Sequence, residues 1–459
     1  FWLKLRLNSM LISNGFGSMP AEATTCETCG SKSAEYVCSG CAQTYYCSRK
    51  CQRAAWPSHK AACVQACQGE GASRPSKLRQ EEPDPIGWIQ VMSCDAMPGQ
   101  DAHVMAASDI KAVQAECLRR ACGGFVIWQG RAFLRATSVE KLVKNIVAAR
   151  GSTLWLPLTS PQLSGMNSGQ LPASLPEVVV EKSQVVDKRA GLSEQAMTER
   201  FERSCPVVLK DAQTKGGWLA QTRWTFEWLE SNYGSEEIIC SDLAPFFEHV
   251  DRGVVRTLKV SMKEYIRYLR GEPSLLRMLQ SSEDRVFYGN AWTPFLDNDE
   301  LLADVSDRLY CVRDSIPREG TSKVFNRQLT KVFLGPAGTV SRLHHDTYAT
   351  HVWLSQVRGR KQFVCYPPSD APYLHCHEDE NCDGKTSLFD PANPDYKAFP
   401  RASAAQPFSV VVEEGETVVL PSRWFHWAKS LTPSITLMRN FVNEVNMAEH
   451  VRTRQRKGK

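Results

Sequence analysis

Residues 332 to 366 read VFLGPAGTV SRLHHDTYAT HVWLSQVRGR KQFVCY, and the fold turns on this stretch. Val332 to Leu334, Val352 to Val357 and Gln362 to Cys365 are short β-branched or aromatic runs punctuated by Gly and Pro, as strands are. Phe408 to Val412, Thr417 to Leu420 and Ser434 to Phe441 continue the pattern, and strands at that spacing predict a sandwich or jelly roll. Alternation along a strand puts His344 and Asp346 on one face and His345 on the other, so the first two can reach a single ion. Using His345 instead would need a register flip that expels the apolar face. A later segment, Gly415 to His426, reads as a strand, Pro421 and then Arg423-Trp424-Phe425-His426, which delivers a third ligand.

Two histidines and one carboxylate on one side of an octahedral ion leave three adjacent positions open, the arrangement of Fe(II) oxygenases. A chelating co-substrate and dioxygen fill such a face. 2-Oxoglutarate would put its far carboxylate inside a poorly solvated barrel, where an unpaired charge is prohibitive and a Lys or Arg partner is required. Lys361 follows Gly359 at the start of the next strand and is placed for that role. On spacing alone, a solvated strand-edge lysine is an equal reading.

Leu343-His344-His345-Asp346, Gln356-Val357-Arg358-Gly359-Arg360-Lys361 and Tyr366-Pro367-Pro368 together resemble the Jumonji-C family of Fe(II) and 2-oxoglutarate oxygenases. So do Gly415-Glu416 through Leu420-Pro421 to Trp424-Phe425-His426, and the closing Arg439-Asn440-Phe441. Asn393-Pro394-Asp395 and Phe399-Pro400 are similar to the small hydroxylase-like branch rather than to the large multidomain histone demethylases. The resemblance spans about residues 190 to 447, with Pro206-Val207-Val208-Leu209 and Trp218 to Gly234 upstream of the barrel. It implies a cupin-type double-stranded β-helix, iron held by His344, Asp346 and His426, and 2-oxoglutarate held by Lys361. It also implies Ser341 as a second partner of the far carboxylate and Asn440 as an amide near the co-substrate. The implied reaction couples oxidative decarboxylation of 2-oxoglutarate to oxidation of a C–H bond, a hydroxylation or demethylation of a protein side chain. Two departures stand out. Thr350, His351 and Leu354 lie where relatives often carry an Asn, and Met438 stands where some have Thr. A second class of function is an inactive Jumonji-like scaffold that only binds partners; the intact His344, Asp346, His426 and Lys361 speak against it.

Near the amino terminus, Cys26 and Cys29, Cys38 and Cys41, Cys47 and Cys51, and His59 and Cys63 supply eight soft ligands in four pairs, enough for two tetrahedral zinc sites. The residues between them are mostly small, polar or charged, so the stretch depends on metal for its fold. This order, with Tyr46-Cys47 and Trp56-Pro57-Ser58-His59-Lys60, resembles a MYND zinc finger over residues 26 to 63. The resemblance implies interleaved sites, Cys26, Cys29, Cys47 and Cys51 on one ion and Cys38, Cys41, His59 and Cys63 on the other. It implies a protein-interaction module, often for Pro-rich peptides, without catalysis.

The rest of the chain sets the frame. With 459 residues, 42% hydrophobic and 23% charged, it predicts a multidomain globular protein. Clustering of eight of the seventeen cysteines by residue 67 favours metal over disulfides and a reducing compartment, nuclear or cytoplasmic. The net charge of +5 equals the five basic residues Arg452, Arg454, Arg456, Lys457 and Lys459, so nucleic acid is an expected partner only through that tail. No apolar run approaches the roughly 18 residues of a membrane span. Residues 1 to 21 lack acids and faintly resemble a transit peptide, although Met10 or Met19 could equally be the start; the segment is left undefined.

Composition places linkers at residues 68–85 and 159–189, separating a finger unit (22–67), a small α+β module (86–158), the oxygenase domain (190–447) and a basic tail (448–459). In the module, Ser108 is read as capping a helix to Cys122, Gln129-Gly130 as a hairpin turn, and Thr137 with Glu140 as boxing a second helix that ends near Gly151. Ser261 with Glu264 starts a helix with Met262, Ile266 and Leu269 on one face. Cys94, Cys117 and Cys122 read as core residues, and His375, Cys376, His377 and Cys382 as an acidic loop rather than a third zinc site.

Overall fold

The computed structural model describes residues 26–29, 36–37, 45–46, 51, 55, 87–158, 171–242, 256–280, 285–296, 298–306, 308–316, 326–378 and 384–457. The chain divides into two compact units, Phe1–Pro85 and Ile86–Lys459. In the first, Tyr36–Val37 pairs antiparallel with Tyr45–Tyr46. The undefined segment 1–21 and the linker 68–85 lie outside the described residues.

In the second unit the strands of the barrel are shared between two sheets. Thr330–Gly335, His351–Arg358, Thr417–Leu420 and Ser434–Phe441 belong to one sheet, and Val340–His344, Lys361–Tyr366, Phe408–Val412 and Phe425–Ser430 to the other. This is the expected jelly roll, with three of the expected strands starting and ending where the sequence places them. Between the sheets lies an apolar core of Val208, Val352, Phe363, Val410, Val412, Val418, Leu420 and Met438. Leu374, Phe389 and Ala402 cover the outer face of the smaller sheet, where Val364, Tyr366, Phe425 and Trp427 pack. Helices including Glu194–Glu202, Phe226–Tyr233 and Met262–Leu269 bury Phe201, Leu229, Tyr265 and Ile266 in the core behind the larger sheet. Ser261 caps the last of these by accepting the Glu264 N–H at 3.3 Å, with Met262, Ile266 and Leu269 buried as expected.

Three readings are corrected. The segment 86–158 is no detached module: Trp88–Ala96 pairs antiparallel with Thr257–Ser261, so its five strands extend the larger sheet to fourteen. Composition could not reveal this, because the strands on either side of the join are far apart in sequence. Its hairpin turns through Gln129 and Gly130, both at positive φ. Its helices are capped one residue later than expected, by Asp109 over Ile110–Arg119 and by Ser138 over Val139–Lys144. The second stops at Lys144 because Ile146–Pro157 is one long strand. Cys94, Cys117 and Cys122 are core residues.

Within the expected linker 159–189, the described part 171–189 is bound along its length. The Gln362 side chain accepts from the Val178 N–H at 2.7 Å and donates to its carbonyl at 2.8 Å. Gln184–Val185 then pairs parallel with Phe408–Val412, and Lys188–Arg189 with Val207–Leu209. The segment holds by backbone bonds at sheet edges, which leave no hydrophobic period to read. Finally, the basic tail is no separate unit without structure: its described part lies in the helix Met447–Lys457, which buries His450 and Thr453.

A buried ion pair closes the larger sheet. Arg439 donates to Asp314 Oδ2 from Nη2 at 2.7 Å and from Nε at 2.9 Å, and from Nη1 to the Asn326 carbonyl and Thr330 Oγ1. Both side chains are almost fully buried. Asp314→Ala leaves the guanidinium buried without its carboxylate and is expected to cost about 3–5 kcal/mol, read by denaturant unfolding. An Asp314→Ala midpoint equal to the unsubstituted protein's would show that the pair carries no such weight.

Candidate functional site

The strands Val340–His344 and Phe425–Ser430 run antiparallel with His344 directly opposite His426. Opposed residues share a face, and the two imidazole centroids are 4.3 Å apart. Asp346 lies just beyond the strand end, and one ligand atom from each of His344, Asp346 and His426 falls within 4.8 Å of the other two. Each ring has its Nδ1 against a main-chain carbonyl, His344 on Arg342 at 2.6 Å and His426 on Trp424 at 3.2 Å. A carbonyl can only accept, so both Nδ1 atoms carry the proton and both Nε2 atoms present bare lone pairs. His426 is 4% exposed, and burial, reinforced by His344, pushes its imidazolium down to about 4, so the ring is neutral at ordinary pH. Asp346 Oδ2 is buried and accepts no hydrogen bond among the described residues. Two oriented imidazoles and an orphaned carboxylate oxygen are a donor set that suits a divalent cation.

His345 points away, buried against Phe425 at a ring distance of 4.9 Å, with Nδ1 on the Asp346 carbonyl. Lys361 begins its strand fully inside the barrel at 3% exposure. Its Nζ donates to Thr436 Oγ1 at 2.9 Å and to Tyr288 Oη at 3.1 Å, and among the described residues it forms no ion pair. Thr436 passes its own proton to Gln356 Oε1 at 3.0 Å, which turns its lone pairs toward the lysine. Burial pushes the Lys361 ammonium down to about 7. The strand-edge reading of Lys361 is therefore excluded: the side chain is an interior cation among hydroxyls. Ser341 meets this group through the Tyr288 hydroxyl. Asn440 is buried at the other end of its strand and donates to Thr350 Oγ1 at 3.1 Å.

Where an Asn was sought between ligand and lysine, His351 is structural. Its Nδ1 accepts from the Ser422 N–H at 2.8 Å, its Nε2 meets Asn443 Oδ1 at 3.1 Å, and burial lowers it to about 4. Met438 packs in the barrel core. Sequence reasoning missed Tyr288 and Thr436, single hydroxyls on strands with no spacing to mark them. It also missed Lys331, half-buried opposite Met438, whose ammonium burial lowers to about 8 while Asp346 acts to raise it.

In the first unit, Cys26, Cys29 and Cys51 bring their sulfur atoms within 4.8 Å of one another, and Thr28 Oγ1 donates to the Cys51 carbonyl at 2.7 Å. These are three of the four ligands assigned to one ion; Cys47 and the second set, Cys38, Cys41, His59 and Cys63, lie outside the described residues. Cys382 and the side chain of His377 do too, and no metal-holding group includes His375 or Cys376 among the described residues.

A fold built as a jelly roll around two histidines and a carboxylate is that of the cupins, and the comparisons agree. The cupin-like domain family matches residues 193–447, more than half of the chain, which belongs to that family. Residues 26–63 match the MYND finger. Lysine-specific demethylase JMJ30 of Arabidopsis thaliana is 29% identical over 274 residues, 56% of this chain and 55% of its own length. Lysine-specific demethylase JMJ21 of the same plant is 26% identical over 272 residues, 57% of this chain and 26% of its own. The 2-oxoglutarate and iron-dependent oxygenase JMJD4 of Gallus gallus is 34% identical over 121 residues, 26% of this chain and 27% of its own. This chain thus spans about half or less of the length of these relatives. It is a multidomain protein joining a MYND finger to a cupin-like Jumonji-C domain, whose family holds 2-oxoglutarate oxygenases and demethylases. No helix among the described residues is long and apolar enough to cross a membrane.

His344→Ala removes one ligand and is expected to abolish uptake of a divalent ion by the barrel, measured by titration of the zinc-loaded chain. His345→Ala should leave that uptake intact while losing about 1–3 kcal/mol of stability, because its ring fills a buried site against Phe425. The reverse pattern would mean that the other histidine faces the ion.

Proposed function

We propose that this chain is an Fe(II)- and 2-oxoglutarate-dependent dioxygenase that hydroxylates a protein side chain, or demethylates one by oxidising its N-methyl group. The observation that carries this is Lys361, a buried cation hydrogen-bonded, among the described residues, to neutral hydroxyls alone, in the same barrel as His344, Asp346 and His426. A buried ammonium is costly unless an anion meets it. A dicarboxylate that binds the ion through one end and Lys361 through the other answers both needs.

His344, Asp346 and His426 would hold the iron, with the Nδ1–carbonyl bonds fixing both rings. Iron with 2-oxoglutarate supplies the activation of dioxygen that couples decarboxylation to oxidation of a substrate C–H bond. Lys361, Thr436 and Tyr288 bind and orient the far carboxylate, with Ser341 steadying the Tyr288 hydroxyl. Val412, directly opposite Lys361, and Phe363, the next inward residue of the lysine's strand, are apolar walls that exclude water from that end of the barrel. Asn440 braces Thr350 near the metal ligands rather than the carboxylate, so the role the resemblance gives it is proposed as support of the site.

The finger would bind two zinc ions through Cys26, Cys29, Cys38, Cys41, Cys47, Cys51, His59 and Cys63 and dock a protein partner, a Pro-rich peptide among the candidates. Action on a protein accords with the finger and with the demethylase names of two relatives, and a nuclear or cytoplasmic site of action accords with the clustered cysteines, which suit a reducing compartment. The complete ligand and lysine set disfavours an inactive scaffold. Incubation of candidate peptides with the full chain, iron and 2-oxoglutarate, read by succinate release and by mass gain or loss on the peptide, tests the activity. Absence of both succinate and saturable 2-oxoglutarate binding would return the scaffold reading.

Lys361→Met keeps the stem, deletes the charge and should weaken 2-oxoglutarate binding by about 3–5 kcal/mol, roughly 150- to 5,000-fold, with metal binding retained. Lys361→Arg should fall between, its guanidinium being broader. The pH dependence has a fixed sign. Burial holds the free lysine near 7, and a carboxylate partner raises it again, so above pH 7 the amine must gain a proton as the ligand binds. Calorimetry in two buffers of different ionisation enthalpy should record proton uptake at about pH 8 and little at about pH 6, with affinity falling as pH rises. Proton release at the higher pH would contradict the assignment.

A further inference from the structure

Beyond Asp346 the backbone bends through two consecutive left-handed residues, Tyr348 at φ 57° and Ala349 at φ 50°. Neither is glycine, so this conformation persists only where the surroundings impose it. One segment of the chain does so. Asn446 Nδ2 donates to the Ala349 carbonyl at 2.8 Å, and His450 Nδ1 to the Tyr348 carbonyl at 2.7 Å. Thr350, whose hydroxyl closes the turn on the Thr347 carbonyl at 3.0 Å, is held in turn by Asn440 Nδ2. Asn443 takes His351 at 3.1 Å, and its N–H donates to Asn446 Oδ1 at 2.9 Å, which leaves the Asn446 amide nitrogen facing the turn. Asn440, Asn443, Asn446 and His450 are all buried.

The helix that carries His450 also reaches the turn before the third ligand. Glu449 accepts from Arg423 Nε at 2.7 Å, and Arg423, three residues before His426, is another non-glycine residue at positive φ, 63°. The two turns that aim Asp346 and His426 are thus tied to a single helix, Met447–Lys457.

We propose that Asn446 and His450 are positioning residues of the metal centre: by gripping the left-handed turn that follows Asp346 they aim its carboxylate, so the carboxyl-terminal helix sets the affinity of the barrel for its divalent ion. This rests on the reading of His344, Asp346 and His426 as metal ligands. Partners that orient a ligand from behind typically govern metal affinity by about 10- to 100-fold.

The test uses the full chain, loaded with zinc and titrated anaerobically with Mn(II), a hard ion that thiolate sites disfavour, with free Mn(II) read by electron paramagnetic resonance. His344→Ala gives the background. His450→Phe keeps a ring and removes the donor; His450→Asn returns an N–H at the place of Nδ1; Asn446→Leu removes the second grip. Expected are dissociation constants weaker by about 10- to 100-fold for His450→Phe and Asn446→Leu, and recovery to within about threefold for His450→Asn. Thermal midpoints without Mn(II) should not follow that order, since His450→Asn loses the ring packing yet keeps the ion. The proposal is overturned if His450→Phe and Asn446→Leu bind Mn(II) as the unsubstituted chain does, or if His450→Asn is as weak as His450→Phe. An unsubstituted chain that binds no more Mn(II) than His344→Ala removes the metal site itself, and this inference with it.

Discussion

In an antiparallel pair, residues directly opposite one another share a face of the sheet, and that constraint places His344 and His426 side by side inside the barrel. The register is held by the alternation around them. Phe363 opposite Ala428 faces the inner core, while Val364 opposite Trp427 faces the outer one. A slip of one residue would send His426 to the apolar outer layer and bring Trp427 inward. The ligand pair is therefore as secure as the packing of two hydrophobic layers, and no histidine-specific interaction is needed to hold it.

Two buried cations illustrate how context assigns a role to the same kind of group. Arg439 has its carboxylate supplied by the chain, in Asp314, and its remaining donors go to a carbonyl and a hydroxyl. It is complete and belongs to the scaffold. Lys361, equally enclosed, is given among the described residues only the oxygens of Thr436 and Tyr288. Hydroxyls solvate an ammonium without neutralising it, which is the state expected of a binding group awaiting an anion.

Much of this was legible in the residues. Strands with alternating or continuous apolar character were placed almost to the residue, and His344, Asp346 and His426 followed from strand period and order together with the Jumonji-C resemblance. What failed has physical causes. Asp109 and Ser138 displaced their neighbours as helix caps because adjacent short polar residues cap equally well. The strap 171–189 hid because its bonds are made by backbone at sheet edges. Tyr288 and Thr436 hid because a hydroxyl inside a strand looks like any other polar residue of alternating burial. The terminal helix hid behind its arginines, whose charge reads as solvation while Asn446 and His450 do their work on the buried side.

The join between Trp88–Ala96 and Thr257–Ser261 bears on how the barrel can be handled as an isolated piece. A fragment beginning near residue 190, the boundary that composition recommends, would strip the partner from Thr257–Ser261 and leave its outward N–H and C=O groups bare. Such a raw edge recruits strands from other molecules, and self-association through it would precede any loss of the barrel's own fold. An aggregating fragment would then report a severed sheet rather than a defective catalyst, and a barrel with that sheet intact carries residues 88–157 with it.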